Sequence, residues 1–272
     1  MTTNPNRPSA QKPMHPAAVL ISHAEMAFSD QWGYWRGTVT GDITGNAAYR
    51  EQPRNFELDG VEYYFEDFVI EGSDGALRGT KDGVYDLTTG DFWNQGRVST
   101  ASGRWADFRG YLIFEKGRTT PPGVFPMEGH HTPLVLISAH PASGGDERAL
   151  VCRTDAPFRR DRSPSQGTLT GDLCGTIQFQ SPLKNYSIGN VGYFSEGFTV
   201  TTDKGTAMGT DEGMSDRTTG EFRLCGEVTK TPASMGDLLG HMVLAWGKSS
   251  DGRGGSGKPR RLPFVLARVR DE

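Results

Sequence analysis

Apolar and polar residues alternate with a period of two along most of the chain, the spacing of strands with one buried face. Over 61–70 one face carries Tyr64, Glu66, Phe68 and Ile70. Over 38–49 the apolar face is Val39, Ile43, Ala47 and Tyr49, and the other is Thr38, Thr40, Asp42 and Thr44. Helical spacing is nearly absent; one short segment, 24–32, is compatible with a helical turn. Glycine is abundant, at 36 residues, and separates short runs of β-branched and aromatic residues. This is the punctuation of an all-β meander of hairpins. The pattern predicts strands near 18–24, 34–49, 61–71, 76–82, 91–99, 108–116 and 133–140. The long 34–49 segment is expected to bend at its glycines. Turns are expected at Ser73-Asp74-Gly75, Asp82-Gly83 and Thr89-Gly90-Asp91.

The whole pattern is written twice, without a gap. Gly37-Thr38-Val39-Thr40-Gly41-Asp42 returns as Gly167-Thr168-Leu169-Thr170-Gly171-Asp172, an offset of 130 residues (167 − 37). The register holds through Glu66/Glu196, Phe68/Phe198, Gly79/Gly209, Thr88-Thr89-Gly90/Thr218-Thr219-Gly220 and Pro133/Pro263. Two copies of one fold are implied. The second copy predicts strands at 148–154, 166–179, 191–201, 206–212, 221–229, 238–246 and 262–270. Seven or eight one-sided strands per copy close most economically into a barrel, which removes exposed edges. The expectation is therefore all-β: two tandem antiparallel β-barrels, at 18–142 and 148–272, packed as an intrachain pseudo-dimer. The first residues, 1–17, are polar and proline-rich and read as a disordered tail.

Composition narrows the function classes. The net charge of −4 gives no electrostatic case for nucleic acid or an anionic membrane. The basic runs Arg159-Arg160-Asp161-Arg162 and Lys258-Pro259-Arg260-Arg261 sit among Pro, Gly and Ser and read as solvated loops. No segment has the length of a membrane span. Cys152, Cys174 and Cys225 all fall in the second copy, an odd number without paired spacing. That predicts free thiols in a reducing, cytoplasmic compartment. There is no Walker loop, dinucleotide fingerprint or nucleophile elbow. His130-His131 lies in a Pro/Gly-rich stretch without ligand spacing, so neither a metal nor a cofactor is expected.

The segments Gly41-Asp42-Ile43-Thr44-Gly45, Phe65-Glu66-Asp67-Phe68, Gly75-x-Leu77-x-Gly79-Thr80-x-Asp82-Gly83 and Thr89-Gly90-Asp91-Phe92 with Gly96-x-Val98 resemble the allene oxide cyclase-like barrels. That superfamily includes allene oxide cyclases, dirigent proteins and the barrel cyclases of polyketide pathways. The resemblance rests on glycine spacing and turns. It implies a cofactor-free barrel whose lumen folds a flexible hydrophobic substrate and steers a cyclisation, or else a dirigent-like, non-catalytic guide or binder. Family members are mostly single barrels that oligomerise, so a homodimer also fits.

Glu66 and Glu196 are the sharpest candidates. Each is a carboxylate on an apolar face, flanked by Tyr64 and Phe68 or by Phe194 and Phe198. Such a group tends to a raised pKa, which suits acid–base work. Equally, it could pin strand register by bonding to barrel hydroxyls or an arginine. Tyr64 is paired with Glu66 as a catalytic candidate. Tyr49, Phe68, Trp93 and Trp35, with Glu196 and Phe194, are candidate substrate-binding residues, since aromatic walls hold a flexible conjugated ligand by shape. Trp93 could instead face away from the lumen, with Phe92 and Val98 inward. The second copy has Arg223 for Trp93, Met235 for Trp105 and His241 for Tyr111, so the first lumen is the expected ligand site. Asp42 and Asp172 read as serving turns or the contact between barrels, and Asp86 and Asp216 as turn carboxylates. His23 and His140 read as solvated strand ends.

Overall fold

The structure is a computed structural model that describes residues 19–29, 33–52, 56–119, 129–144, 147–157, 164–248 and 262–269. The 1–17 tail and both basic runs lie outside these residues. The chain divides into two units between Ala139 and His140. Each is a closed, antiparallel, eight-stranded β-barrel. No described helix is long and apolar enough to cross a membrane.

The first barrel contains β1 (Val19–Ser29), β2 (Tyr34–Gly41), β3 (Gly45–Glu51), β4 (Phe56–Leu58), β5 (Val61–Gly72), β6 (Gly75–Asp86), β7 (Asp91–Gly103), β8 (Leu112–Arg118) and β9 (His130–Ile137). Neighbours run in the order β3-β2-β1-β9-β8-β7-β6-β5, and β3 pairs β5 to close the ring. The short β4 pairs the free end of β5 beyond β3. The second barrel repeats this plan with β10 (Ala149–Thr154), β11 (Ser165–Gly171), β12 (Gly175–Phe179), β13 (Lys184–Ile188), β14 (Val191–Thr202), β15 (Gly205–Asp216), β16 (Glu221–Lys230), β17 (Met242–Lys248) and β18 (Leu262–Ala267). Even the register irregularity recurs, at Arg78/Gly79 and at Met208/Gly209. Bulges of this kind bend strands at barrel corners.

Local chemistry explains where the elements differ from expectation. The 34–49 segment breaks at Gly41, whose φ of +118° an L side chain rarely adopts; Gly171 repeats it at +119°. Asp42 accepts the Ile21 N–H at 2.8 Å across that break, and Asp172 accepts the Val151 N–H at 2.7 Å. Asp86 and Asp216 each accept two backbone N–H groups, from Thr88 and Thr89 and from Thr218 and Thr219. Residues 24–29 of the expected helical turn instead continue β1. The expected strand over 108–116 begins only at Leu112, because Ala106–Phe108 forms a 3-10 turn. His130-His131 does not lie in a linker but opens β9.

The most instructive correction concerns Asp82-Gly83, which is not a turn. β6 runs straight through it to Asp86. Gly83 is there because Tyr64, directly opposite on β5, lays its ring across it, and a Cβ would collide with that ring. Phe68 covers Gly79 in the same way, and Phe194 and Phe198 cover Gly213 and Gly209 in the second barrel.

The apolar core gathers toward one end of the lumen in barrel 1 and runs on through Phe194, Phe222 and Leu224 in barrel 2. In the first it is built from residues such as Ile70, Leu77, Ile113 and Leu136, and closed by Trp105, Phe108 and Tyr111 around the 3-10 turn. In the second, Met235 and Leu238 of the Ala233–Leu238 turn take that place. What fills the remainder of the lumen distinguishes the two barrels.

Candidate functional site

Beyond the apolar floor, the inward positions of barrel 1 turn polar. Alternation along β6 sends Leu77, Gly79, Lys81 and Gly83 inward, and pairing places Lys81 opposite Glu66 of β5 and Gly96 of β7. The absence of a side chain on Gly96 leaves room for the lysine, whose Cγ a Cβ there would meet. Lys81 is 1% exposed and its Nζ lies 2.9 Å from Glu66 Oε1 and 2.8 Å from Glu115 Oε2. It also sits 3.3 Å from the centroid of the Tyr49 ring, a desolvated cation–π contact.

Glu115, on β8, is the hub. Its Oε2 also accepts from Asn94 Nδ2 at 3.1 Å, and its Oε1 accepts from the Thr132 hydroxyl at 2.7 Å. His130 Nε2 stands 3.5 Å from Oε1. Asn94 donates as well to the Tyr64 hydroxyl, at 3.3 Å. His130 is buried between Trp35 and Phe92, with ring centroids 4.8 and 4.9 Å away, and Phe28 lies edge-on to Trp35. The result is an ionic cage above an apolar floor, with an aromatic collar toward the opposite end. Trp35 and Tyr64 are half-buried at the collar, whereas Glu66, Lys81 and Glu115 are buried.

The two carboxylates share one ammonium but are tuned in opposite directions. Burial raises Glu66, and the attraction and hydrogen bond of Lys81 offset this only in part; Glu115 and Glu51 push it further up. Burial would raise Glu115 too, but Lys81 and His130 outweigh it and hold that carboxyl well below the ordinary range. Lys81 would be lowered by burial, yet Glu115 and Glu66 together hold it above its ordinary value. It is an ammonium at neutral pH and no nucleophile. Burial, then the adjoining carboxylates, keep the Tyr49 and Tyr64 phenols well above 10.0. The two carboxyls of one cage are thus pushed apart, Glu66 toward its protonated form and Glu115 toward its ionised form. Among the described residues no group of three or more His, Cys, Asp or Glu is placed to hold a metal ion.

No family model, curated protein or solved structure matches the chain. The site's meaning must come from its own residues and from the second barrel. There the equivalents of Lys81, Asn94, Glu115 and Thr132 are Asp211, Leu224, Ala245 and Leu262. Tyr49 and Tyr64 become Phe179 and Phe194. Phe194, Phe222, Leu224 and Ala245 belong to that barrel's apolar core, so apolar packing replaces the cage at the Asn94 and Glu115 positions, while Glu196 and Asp211 stay buried opposite each other.

Of the residues singled out from sequence, Glu66, Tyr64 and Tyr49 meet in the cage. Phe68 lies at its floor, within the apolar core, and Trp35 at its collar. Glu196 and Phe194 occupy the matching inward positions of barrel 2. Trp93 does not join them. Asn94 and Phe92 pair with Gly83 and Tyr85 on the inward face of β7, and alternation turns Trp93 outward. Lys81, Asn94, Glu115, Thr132 and His130 were not anticipated. The signal for Lys81 and Glu115 was present: each keeps the period-two spacing from an inward apolar residue, four residues after Leu77 in Leu77-x-Gly79-x-Lys81 and two after Ile113 in Ile113-x-Glu115. Glu66 does have a cationic partner, but it is a lysine, and the second copy does not keep it.

Proposed function

We propose that barrel 1 is a cofactor-independent cyclase or isomerase acting on a hydrophobic, polyketide-like substrate, with Glu66 as the proton-exchanging group. The observation that carries this reading is the asymmetry of the two lumens. A buried ionic cage is costly, and apolar packing of similar volume is often as stable or more so. Barrel 2 achieves that apolar packing at the Asn94, Glu115 and Thr132 positions with the same fold. Retaining the cage in barrel 1 therefore supports a chemical role rather than a structural one.

In this mechanism the aromatic collar and lumen wall hold the substrate in a reactive conformer, which alone can supply several kcal/mol. Glu66, with its raised pKa, carries or takes the proton, and the neutral Tyr64 hydroxyl donates to oxygen as charge develops on it. Lys81 and Glu115 position Glu66 and do not react. The resemblance to allene oxide cyclase-like barrels supports the substrate class. Free Cys152, Cys174 and Cys225 support a reducing, cytoplasmic setting.

A second reading, a dirigent-like guide or non-catalytic binder, is favoured by one feature: Lys81 already satisfies both carboxylates, so the cage can bind without reacting. Turnover separates the two. Linear polyene and poly-β-ketone thioester mimics should give mass-neutral isomeric products with the wild type, and Glu66→Gln should abolish these while binding persists. Binding without products in the wild type would leave the guide; neither binding nor products would remove both.

A further inference from the structure

Four buried polar atoms in the lumen of barrel 1 lack a hydrogen-bond partner among the described residues: Tyr49 Oη, Asn94 Oδ1 and both ring nitrogens of His130, of which Nε2 faces Glu115 Oε1 at 3.5 Å. Buried polar atoms nearly always have partners, and exceptions at a site point to something bound there. Their donor and acceptor sense can be worked out. Ionised Glu115 can only accept, so the Asn94 amide nitrogen must face it, and its second hydrogen goes to Tyr64. Asn94 Oδ1 is thereby fixed as an acceptor turned away from both. Tyr64 Oη accepts from Asn94, which leaves its own proton to donate, as Tyr49 Oη can also do. Lys81 carries one positive charge against two carboxylates, so formal charge in the cage is matched when Glu66 holds its proton, the form that burial favours. Neither an anion nor a cation is called for.

We infer that the cage recognises a neutral ligand presenting a hydrogen-bond donor beside a carbonyl, as in a lactam or an enol–ketone edge. The donor meets Asn94 Oδ1, the carbonyl receives the Tyr64 or Tyr49 proton, and the ligand's planar body lies against Trp35 and Phe92. Barrel 2 has Leu224, Phe194 and Phe179 at the matching positions and cannot offer this pattern. The inference rests on barrel 1 being a ligand site and adds which chemistry that site reads.

Three probes test it, titrated into the full chain and followed by tryptophan fluorescence and amide NMR: quinolin-2(1H)-one, its N-methyl derivative, and naphthalene. Removing the N–H leaves Asn94 Oδ1 unpartnered, so the N-methyl compound should bind about tenfold more weakly. Asn94→Leu, which installs the residue of the second barrel, should bring the two affinities together. The wild-type ratio decides the matter even if that variant fails to fold. Equal binding of both lactams overturns the inference and leaves barrel 1 a ligand site that reads shape alone. No binding by any of the three overturns the inference together with the ligand-site reading.

Discussion

Lys81 and Asp211 stand at the same point of equivalent strands, each directly opposite a glutamate, Glu66 in one barrel and Glu196 in the other. Two copies of one fold have thus placed a basic and an acidic side chain at a single lumenal position. In barrel 1 the lysine is the only residue among those described that ion-pairs with both Glu66 and Glu115. Lys81→Met should leave two carboxylates buried without their cation and destabilise the barrel by about 3–5 kcal/mol. Adding Glu66→Gln and Glu115→Leu should recover most of that loss, because apolar or neutral groups then fill the cage. Hydrogen exchange resolved to β5, β6 and β8 measures this for barrel 1 alone. If Lys81→Met leaves exchange there unchanged, the ion pairs are not a linked unit.

The opposite tuning of Glu66 and Glu115 sets the acid response. Glu115 is held below its ordinary value of 4.5, so its contribution is present above that pH and is lost as pH falls toward the folded value. Glu66 has the reverse sign. Its raised folded value favours the protonated form, so it costs stability as pH rises above 4.5 and nothing on the acid side. Below 4.5 Glu115 governs, and the denaturation midpoint of barrel 1 should fall on acidification. Glu115→Gln should flatten that slope. Glu66→Gln should leave it in place while raising relative stability near neutrality. An unaltered slope in Glu115→Gln would place the acid response elsewhere.

The repeat, the barrels and the inward placement of Glu66, Tyr64 and Tyr49 were legible because each depends on alternation within one strand. A carboxylate between aromatics at i±2 must share their face. The cage as a unit was not legible. Lys81, Asn94, Glu115, Thr132 and His130 come from four strands, β6 to β9, and only the closed ring and its register bring them together. Trp93 went astray for a related reason: Phe92 and Trp93 are adjacent and both aromatic, so periodicity alone could not assign the inward one. Asp82-Gly83 resembled a turn because a glycine required by a ring across the sheet has the same letter as one required by a turn.

That ring contact is testable in its own right. Gly83→Ala should force the Tyr64 ring out of its place and destabilise barrel 1 by about 1–3 kcal/mol. Gly213→Ala should do the same to barrel 2 through Phe194. Trimming the ring, in Gly83→Ala/Tyr64→Leu, should cost less than the sum of the single changes, since the collision is removed. Additive losses in urea denaturation would mean that the glycine serves the backbone and not the ring.

Tyr64 also carries the clearest prediction for function, because barrel 2 supplies its control. Phe194 occupies the same place, crosses Gly213 in the same way and lacks only the hydroxyl. Tyr64→Phe should therefore fold as well as the wild type. It removes the hydroxyl that Asn94 holds at 3.3 Å, and with it the donor proposed to meet the substrate's oxygen. If that donor acts mainly in the transition state, kcat should fall about 100-fold with little change in affinity. Tyr64→Ala should in addition weaken binding and scramble the product distribution, because the wall of the lumen is lost with the ring. Phe194→Tyr should change neither, since Leu224 stands where Asn94 would orient the new hydroxyl. Turnover unaffected by Tyr64→Phe would leave Glu66 and the shape of the lumen as the whole of the mechanism.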